Sequence, residues 1–206
     1  SGFEHRVPLA PLAVEQLVNE GFEILLEQGA GIGANFSDRQ FAEYGAQIVI
    51  NKTEIAKCDI LLKVMPLTID EIELLSGNQV IITSLHSNCQ EKEYFTKLIK
   101  KRITAIAFDT MQDNHGINPI MRSMSEIAGR SSILIAAEYL SNVHKGKGEM
   151  LGGLTGVSPT EVVIIGAGTA GTYAAQTAYS LGALVKVFDN SVSNLDNLQK
   201  NLGTKL

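Results

Sequence analysis

The stretch of residues 161–189 constrains the fold of this chain more than any other. An apolar run at 162–165 is typical of a strand buried on both faces of a parallel sheet. A glycine-rich turn of the pattern Gly-x-Gly-x-x-Gly follows at 166–171, and then a helix of small residues. A second apolar strand at 184–188 ends in an acid. This order predicts a dinucleotide-binding strand–turn–helix–strand unit.

Each glycine of this turn has a physical reason in such a unit. Gly166 permits the tight turn, and Gly168 removes the Cβ that would collide with phosphates. Gly171 lets the helix and the strand pack closely. Thr169 and Ala170 complete the predicted cofactor-binding turn, because backbone N–H groups at a helix start bind a pyrophosphate.

Asp189 determines which dinucleotide is predicted. It lies close to the ~20-residue spacing expected for the acid that binds the adenosine ribose hydroxyls. A carboxylate accepts hydrogen bonds from a free 2′-hydroxyl and repels a 2′-phosphate. Residues 190–193 contain no Arg or Lys that could bind such a phosphate. The sequence therefore predicts NAD rather than NADP.

The composition excludes several classes of protein. A net charge of -5 without a basic cluster disfavours a nucleic-acid or anionic-membrane partner. No apolar run approaches the ~20 residues that span a bilayer. The two cysteines, Cys58 and Cys89, are too few and too irregular for a disulfide framework or a zinc site. We therefore expect a cytoplasmic protein with a small-molecule substrate and no metal.

The remainder of the chain alternates strands with helices. The predicted strands are 22–27, 47–50, 59–64, 79–85 and 104–108. Capping boxes begin at Ser37 and Thr68, and a third at Ser123 predicts a long helix to about Asn142. Alternation of this kind is typical of a parallel α/β layer structure.

The predicted fold class is α/β with two parallel-sheet, Rossmann-like parts. Residues 1–142 form an N-terminal substrate domain that includes the long linking helix. Residues 143–206 form the first part of an NAD-binding Rossmann domain. Because a complete domain of this type needs six strands, we expect this one to be incomplete and the chain to be a fragment.

Six stretches of the chain resemble one protein family in order and spacing. They are residues 4–11, 28–31, 61–64, 85–86, 124–130 and 166–171. The chain resembles about the first half of a member of the alanine dehydrogenase family, which includes the NAD-binding subunit of proton-translocating transhydrogenase. Within that family, His86 and residues 124–130 are more similar to alanine dehydrogenase.

The resemblance implies an enzyme that oxidises L-alanine with NAD to pyruvate and ammonium, and that works as a homo-oligomer. Arg6 would bind the substrate carboxylate, and His86 would transfer protons. Met124 would line the substrate pocket, and Ser125 would approach the cofactor. From the residues alone, other roles stay open: a solvated loop arginine, a histidine bonded to a loop carbonyl, and a helix start at Met124 and Ser125.

One position departs from the family pattern. The family has a Lys-Val-Lys-Glu-Pro run whose second lysine contacts the substrate, and Met65 takes that position here. A thioether cannot donate a hydrogen bond to a carboxylate. Lys63, predicted on the same strand face, either reaches toward the vacated place or has its own structural partner, and we favour the second. A transhydrogenase-type subunit and a non-catalytic NAD-binding protein therefore stay open as alternatives.

Overall fold

The computed structural model describes residues 4–203. The chain divides into two compact units, the first ending at Met111 and the second beginning at Gln112. Each unit contains parallel strands joined by helices, as the sequence predicts for an α/β fold.

The first unit contains two parallel sheets. Strands β1 (Leu25–Glu27) and β2 (Gln47–Val49) form one sheet, and β3 (Ile60–Leu62), β4 (Val80–Thr83) and β5 (Thr104–Ala107) form the other in the order β3-β4-β5. The helices of this unit are α1 (Pro11–Asn19), α2 (Asp38–Glu43), α3 (Lys52–Ile55), α4 (Ile69–Leu74) and α5 (Lys92–Lys100), with 3₁₀ turns at Ile32–Ala34 and Ser87–Cys89.

Local sequence explains where these helices begin. Ser37 and Thr68 cap α2 and α4, and each accepts a hydrogen bond from the N–H of the residue three positions on. Both predicted capping boxes are therefore confirmed. Ile81 of β4 and Ile72 of α4 are fully buried, and they join the strands of the second sheet to the helices that cover it.

The second unit contains one parallel pair of strands. Strands β6 (Glu161–Ile165) and β7 (Leu184–Phe188) pair in register, and the helices are α6 (Pro119–Leu140), α7 (Thr169–Ser180) and α8 (Val192–Leu202), with a 3₁₀ turn at Asn142–His144. Small side chains of α7, including Ala175 and Ala178, are fully buried against Val185 and Leu198.

Strand β6 is not buried on both faces, so that prediction is wrong. The side chains of Val163 and Ile165 are 53% and 89% exposed. Among the described residues β6 pairs with β7 and has no strand on its other edge. The apolar composition of 162–165 suits a central strand, but burial of such a strand also depends on the elements that cover it.

Helix α6 begins earlier than predicted. Asn118 is its N-cap and accepts a hydrogen bond from the N–H of Met121 at 2.8 Å, and Pro119 occupies the first helical position. Ser123 lies inside the helix, where its hydroxyl donates to the carbonyl of Pro119 at 3.0 Å. The predicted start at Ser123 is wrong, because Asn118 and Pro119 supply a cap and a first helical residue upstream of it.

Helix α6 groups with the second unit rather than the first. It packs closely on α7, and a Cβ placed on Gly129 would run into the backbone carbonyl of Ala170. The domain boundary predicted from the sequence places this helix with residues 1–142. The compact units of the structure divide after Met111. That residues 1–142 bind the substrate and residues 143–206 bind the cofactor stays a prediction.

No helix within residues 4–203 is both long enough and apolar enough to cross a membrane. In the same range no cluster of His, Cys, Asp and Glu side chains has an arrangement that could hold a metal ion.

Candidate functional site

Three polar side chains and that of Met65 lie just beyond the ends of the strands in the β3-β4-β5 sheet. Lys63 and Met65 follow β3, His86 follows β4, and Asp109 follows β5. The carboxyl ends of parallel strands meet at one edge of the sheet, which is the edge where α/β folds bind ligands. A hydrogen bond joins the ends of β3 and β4 directly: the hydroxyl of Thr83, the last residue of β4, donates to the carbonyl of Met65 at 2.8 Å.

Strand β3 ends at Leu62, so Lys63 and Met65 lie in the following bend and not on a strand. The prediction that a strand carries both on one face is wrong. The two side chains nevertheless line the same cavity. Backbone hydrogen bonds to the β4 segment continue past Leu62, since the N–H of Lys63 donates to the carbonyl of Ile82 at 3.1 Å and the N–H of Ser84 donates to the carbonyl of Val64 at 3.2 Å. The regular strand nevertheless ends where the chain bends before Pro66.

His86 is held at the end of β4 by its neighbours. The N–H groups of Leu85 and His86 donate to the two carboxylate oxygens of Asp109, at 3.2 and 3.1 Å. The Nε2 atom of His86 lies 2.9 Å from the hydroxyl of Ser84. The backbone of His86 is left-handed, with φ 45° and ψ 49°, an uncommon conformation for a residue with a side chain.

A cavity of about 350 Å³ lies within the first unit. Arg6, Lys63 and Met65, which were predicted to bind substrate, all line it, whereas His86 does not. Much of the remaining lining is aliphatic, with the leucines at 25, 26, 61, 62, 67, 74 and 75. A polar substrate in this cavity would therefore rely on a small number of charged side chains for its orientation.

Arg6 is paired with Glu4, which also lines this cavity. The guanidinium donates to both carboxylate oxygens, from Nε at 2.8 Å and from Nη2 at 2.7 Å. These hydrogen bonds lower the pKa of Glu4 to about 2, so the carboxylate stays ionised at neutral pH. A substrate carboxylate that binds Arg6 would compete with Glu4 for the same donors.

Lys63 is paired with Glu71 of α4. Its ammonium lies 2.8 and 2.6 Å from the two carboxylate oxygens of Glu71, which also accepts the N–H of Thr68 at 2.7 Å. Burial alone would raise the pKa of Glu71, but the hydrogen bonds from Lys63 and Thr68 outweigh it and the net pKa is lowered. The capping box therefore fixes the carboxylate that holds Lys63.

Gly166 and Gly171, in the glycine turn of the second unit, have the backbone geometry and the close packing that the pattern predicts for them. Gly166 is left-handed, with φ 104°, and its N–H donates to the carbonyl of Phe188 at 2.7 Å. Nothing lies within 4 Å of a Cβ built on Gly168, whereas a Cβ on Gly171 would run into the carbonyl of Gly166. Gly168 caps α7, whose first helical residues are Thr169 and Ala170. Close packing therefore requires Gly171, but the described residues give no packing reason for Gly168.

Asp189 follows β7 directly and contacts the glycine turn. Its carboxylate accepts the N–H groups of Ala167 at 2.6 Å and Ser191 at 2.7 Å. These two backbone hydrogen bonds hold the pKa of Asp189 below its ordinary value. The acid is therefore ionised at neutral pH, and a carboxylate accepts hydrogen bonds from ribose hydroxyls. The residues at this turn fit a dinucleotide.

Met124 and Ser125 lie within α6, away from its start, and both are half-buried. They belong to the second unit, with the glycine turn, whereas the other predicted substrate residues belong to the first. The alternative role of helix start for this pair is wrong, because α6 begins at Pro119.

Four polar side chains at these sites were not predicted from the sequence as site residues: Glu4, Glu71, Ser84 and Asp109. Asp109 could have been found, because it follows a predicted strand at the same sheet edge as His86. Glu71 was assigned only as a capping residue. Lys63 and Glu71 are eight residues apart, and the path of the chain between them, which brings the two side chains together, cannot be derived from the sequence.

Comparisons with known proteins agree with this structure. The family model described as alanine dehydrogenase/PNT, N-terminal domain, matches residues 2–128, and the C-terminal domain model of that family matches residues 132–206. The chain is 38% identical over 204 residues to an alanine dehydrogenase of Methanococcus maripaludis, covering 98% of this chain and 54% of that protein. An alanine dehydrogenase of Mycolicibacterium smegmatis is 37% identical, with 98% and 55% covered.

Solved structures also resemble this chain. An L-alanine dehydrogenase superimposes with a TM-score of 0.90 at 37% identity, covering 98% of this chain and 55% of that one. A transhydrogenase from Sinorhizobium meliloti shares the fold, with a TM-score of 0.84 at 24% identity and coverage of 98% and 60%. The chain spans about half the length of the curated relatives it matches. It belongs to the alanine dehydrogenase/PNT family.

Proposed function

We propose that the full-length protein is an NAD-dependent alanine dehydrogenase. The reaction converts L-alanine, NAD⁺ and water to pyruvate, ammonium, NADH and a proton. The observation that carries the proposal is the position of His86. This side chain, which can transfer protons, is held by Ser84 and Asp109 at the edge of the sheet where α/β folds bind ligands. We further propose that the protein is a cytoplasmic homo-oligomer that serves alanine catabolism.

The residues of this chain have separate roles in the proposal. Arg6 binds the substrate carboxylate through two parallel hydrogen bonds, exchanging its contact with Glu4 for one with substrate. Met124 lines the substrate pocket, and Ser125 approaches the cofactor. His86 accepts a proton from the water that adds to the imine carbon and later releases it to solvent.

NAD supplies the hydride acceptor for the Cα hydrogen of alanine. Gly166, Gly168 and the N–H groups at the start of α7 would hold its pyrophosphate, and Asp189 would bind the adenosine ribose. The open space at Gly168 is consistent with this assignment, because no described atom lies within 4 Å of a Cβ built there and a phosphate has room to approach the backbone.

The direct test is alanine-dependent NADH formation by the full-length protein. We expect NADH to accumulate in proportion to pyruvate, and the reverse reaction to consume NADH when pyruvate and ammonium are supplied together. NADH formation from NAD and L-alanine at no more than the rate without alanine would contradict the proposal.

A second candidate function is a transhydrogenase-type subunit, which binds NAD(H) and exchanges hydride with another nucleotide. The observation that favours it is Met65, which leaves the cavity without the second lysine of the family run. Hydride exchange between nucleotides on addition of partner subunits, without any response to alanine, would support it. NADH binding with neither activity would support a non-catalytic NAD-binding protein.

The cofactor assignment predicts that full-length protein binds NADH more tightly than NADPH. Asp189 is ionised and would repel a 2′-phosphate. Gly168→Ala should weaken NADH binding roughly tenfold or more, because the new methyl group would lie where the phosphates approach the backbone. Fluorescence titration with both nucleotides measures these affinities.

Thermal unfolding provides the control for that variant. The backbone of Gly168, with φ -67° and ψ -171°, suits alanine, and the space around it is open. The melting temperature should therefore not fall. Equal binding of NADH and NADPH would contradict the role of Asp189, and unchanged NADH binding by Gly168→Ala would contradict the role of the glycine.

A further inference from the structure

We propose that Ser84 is a positioning residue for His86, which keeps the proton of the neutral ring on Nε2 and leaves Nδ1 to exchange protons with the substrate. The inference rests on the proposed function, since it assigns a role in the same reaction. It concerns a residue that the resemblance to alanine dehydrogenase does not bring into the site.

The hydroxyl of Ser84 contacts the ring of His86 directly. Ser84 is 5% exposed, and its hydroxyl lies 2.9 Å from Nε2 of His86, whereas His86 is exposed. Within residues 4–203, Nδ1 has no hydrogen-bond partner. One ring nitrogen is thus bound to a buried side chain of the protein, and in the proposal the other exchanges protons with the substrate.

Hydrogen bonds fix the backbone around His86. Asp109 accepts the N–H groups of Leu85 and His86, and the carbonyl of His86 accepts the N–H of Cys89 at 2.8 Å. The side chain of Gln90 donates to the carbonyl of Leu85 at 3.2 Å. With the backbone fixed on both sides, the remaining freedom of His86 is the orientation of its ring. The hydroxyl of Ser84 determines that orientation.

The hydroxyl of Ser84 can accept a hydrogen bond from Nε2–H or donate one to an unprotonated Nε2. We assign the first arrangement, because the hydroxyl then accepts from Nε2–H in both the neutral ring and the imidazolium and does not reorient during the cycle. Nδ1 then carries the lone pair. It takes the proton of water as the oxygen bonds to the iminium carbon and the π pair of the C=N bond moves to nitrogen, and it releases this proton to solvent. The C–N bond then breaks as the C=O bond of pyruvate forms, and the departing ammonia takes up a proton to become ammonium.

The kinetic test is Ser84→Ala in the full-length protein. The kcat of alanine oxidation should fall roughly fivefold to tenfold, as expected for loss of one hydrogen bond that orients the ring. The KM values for alanine and NAD should change little, because Ser84 touches neither ligand in this proposal. Ser87→Ala, the same change at an exposed residue next to His86, is the control and should retain the native kcat. An unchanged kcat in Ser84→Ala would overturn the proposal.

A second measurement does not depend on activity. Nitrogen-15 NMR of the histidine rings in the native full-length protein should show neutral His86 protonated at Nε2, and Ser84→Ala should give a mixture of the two tautomers. Protonation at Nδ1 in the native protein would overturn the proposal even in an active enzyme. If alanine is not oxidised but the Nε2–H tautomer is present and lost in Ser84→Ala, the proposed function fails while the positioning role of Ser84 stands.

Discussion

His86→Gln is expected to lower the kcat of alanine oxidation by roughly two to four orders of magnitude, the usual contribution of a positioned acid–base group. The glutamine amide can form hydrogen bonds but cannot accept a proton near neutral pH. Steady-state NADH formation with saturating NAD and alanine measures the loss. NADH binding should be retained, because the predicted cofactor-binding residues, including Gly168 and Asp189, are unchanged.

His115→Gln is the matched control. His115 is exposed in a turn, where its backbone N–H donates to the carboxylate of Asp113 at 2.8 Å. The same substitution there should leave the rate close to the native value. A His86→Gln protein that retains most of the native rate would show that proton transfer uses another group, and the assignment of His86 would have to be abandoned.

Local signals explain the part of the fold that the sequence predicts. The capping boxes at Ser37 and Thr68 depend on residues three positions apart, and both form as predicted. The five strands predicted before residue 110 are also present, although each is shorter than its apolar run. Strand length depends on how far a neighbouring strand continues the hydrogen bonds, which the sequence of one strand does not encode.

The candidate site depends on contacts between distant residues, and these were harder to predict. Asp109 holds His86 across 23 positions of sequence. Its role follows only from the adjacency of β4 and β5, which is a property of the sheet order. The burial of β6 likewise depends on neighbours, so composition alone gave the wrong expectation for Val163 and Ile165.

The cavity suggests a consequence for substrate binding. Its cations Arg6, Lys52 and Lys63 are each paired with a carboxylate, at 2.7, 3.5 and 2.6 Å. Lys63 in particular is held by Glu71, whose own position is fixed by the capping box of α4. We therefore infer that Lys63 has a structural partner and does not replace the family lysine at the position of Met65.

Met65→Lys is accordingly expected to raise alanine-dependent NADH formation by about one to two orders of magnitude. A restored charge-assisted hydrogen bond to the substrate contributes roughly 1.5–3 kcal/mol. The gain should appear in kcat/KM for alanine, with NADH affinity unchanged. Met65→Gln, which adds a neutral donor, should give a smaller gain and so separate charge from hydrogen bonding.

Met111→Lys is the control for this prediction, because it adds the same charge at an exposed methionine outside the cavity lining. It should not raise the rate. The competing hypothesis is that the ammonium of Lys63 leaves Glu71 and binds the substrate when alanine enters. In that case native activity should be strong, Lys63→Ala should abolish it, and Met65→Lys should bring no gain, since two ammonium groups in one cavity repel each other. Those three results together would show that Lys63 has taken over the role of the missing lysine.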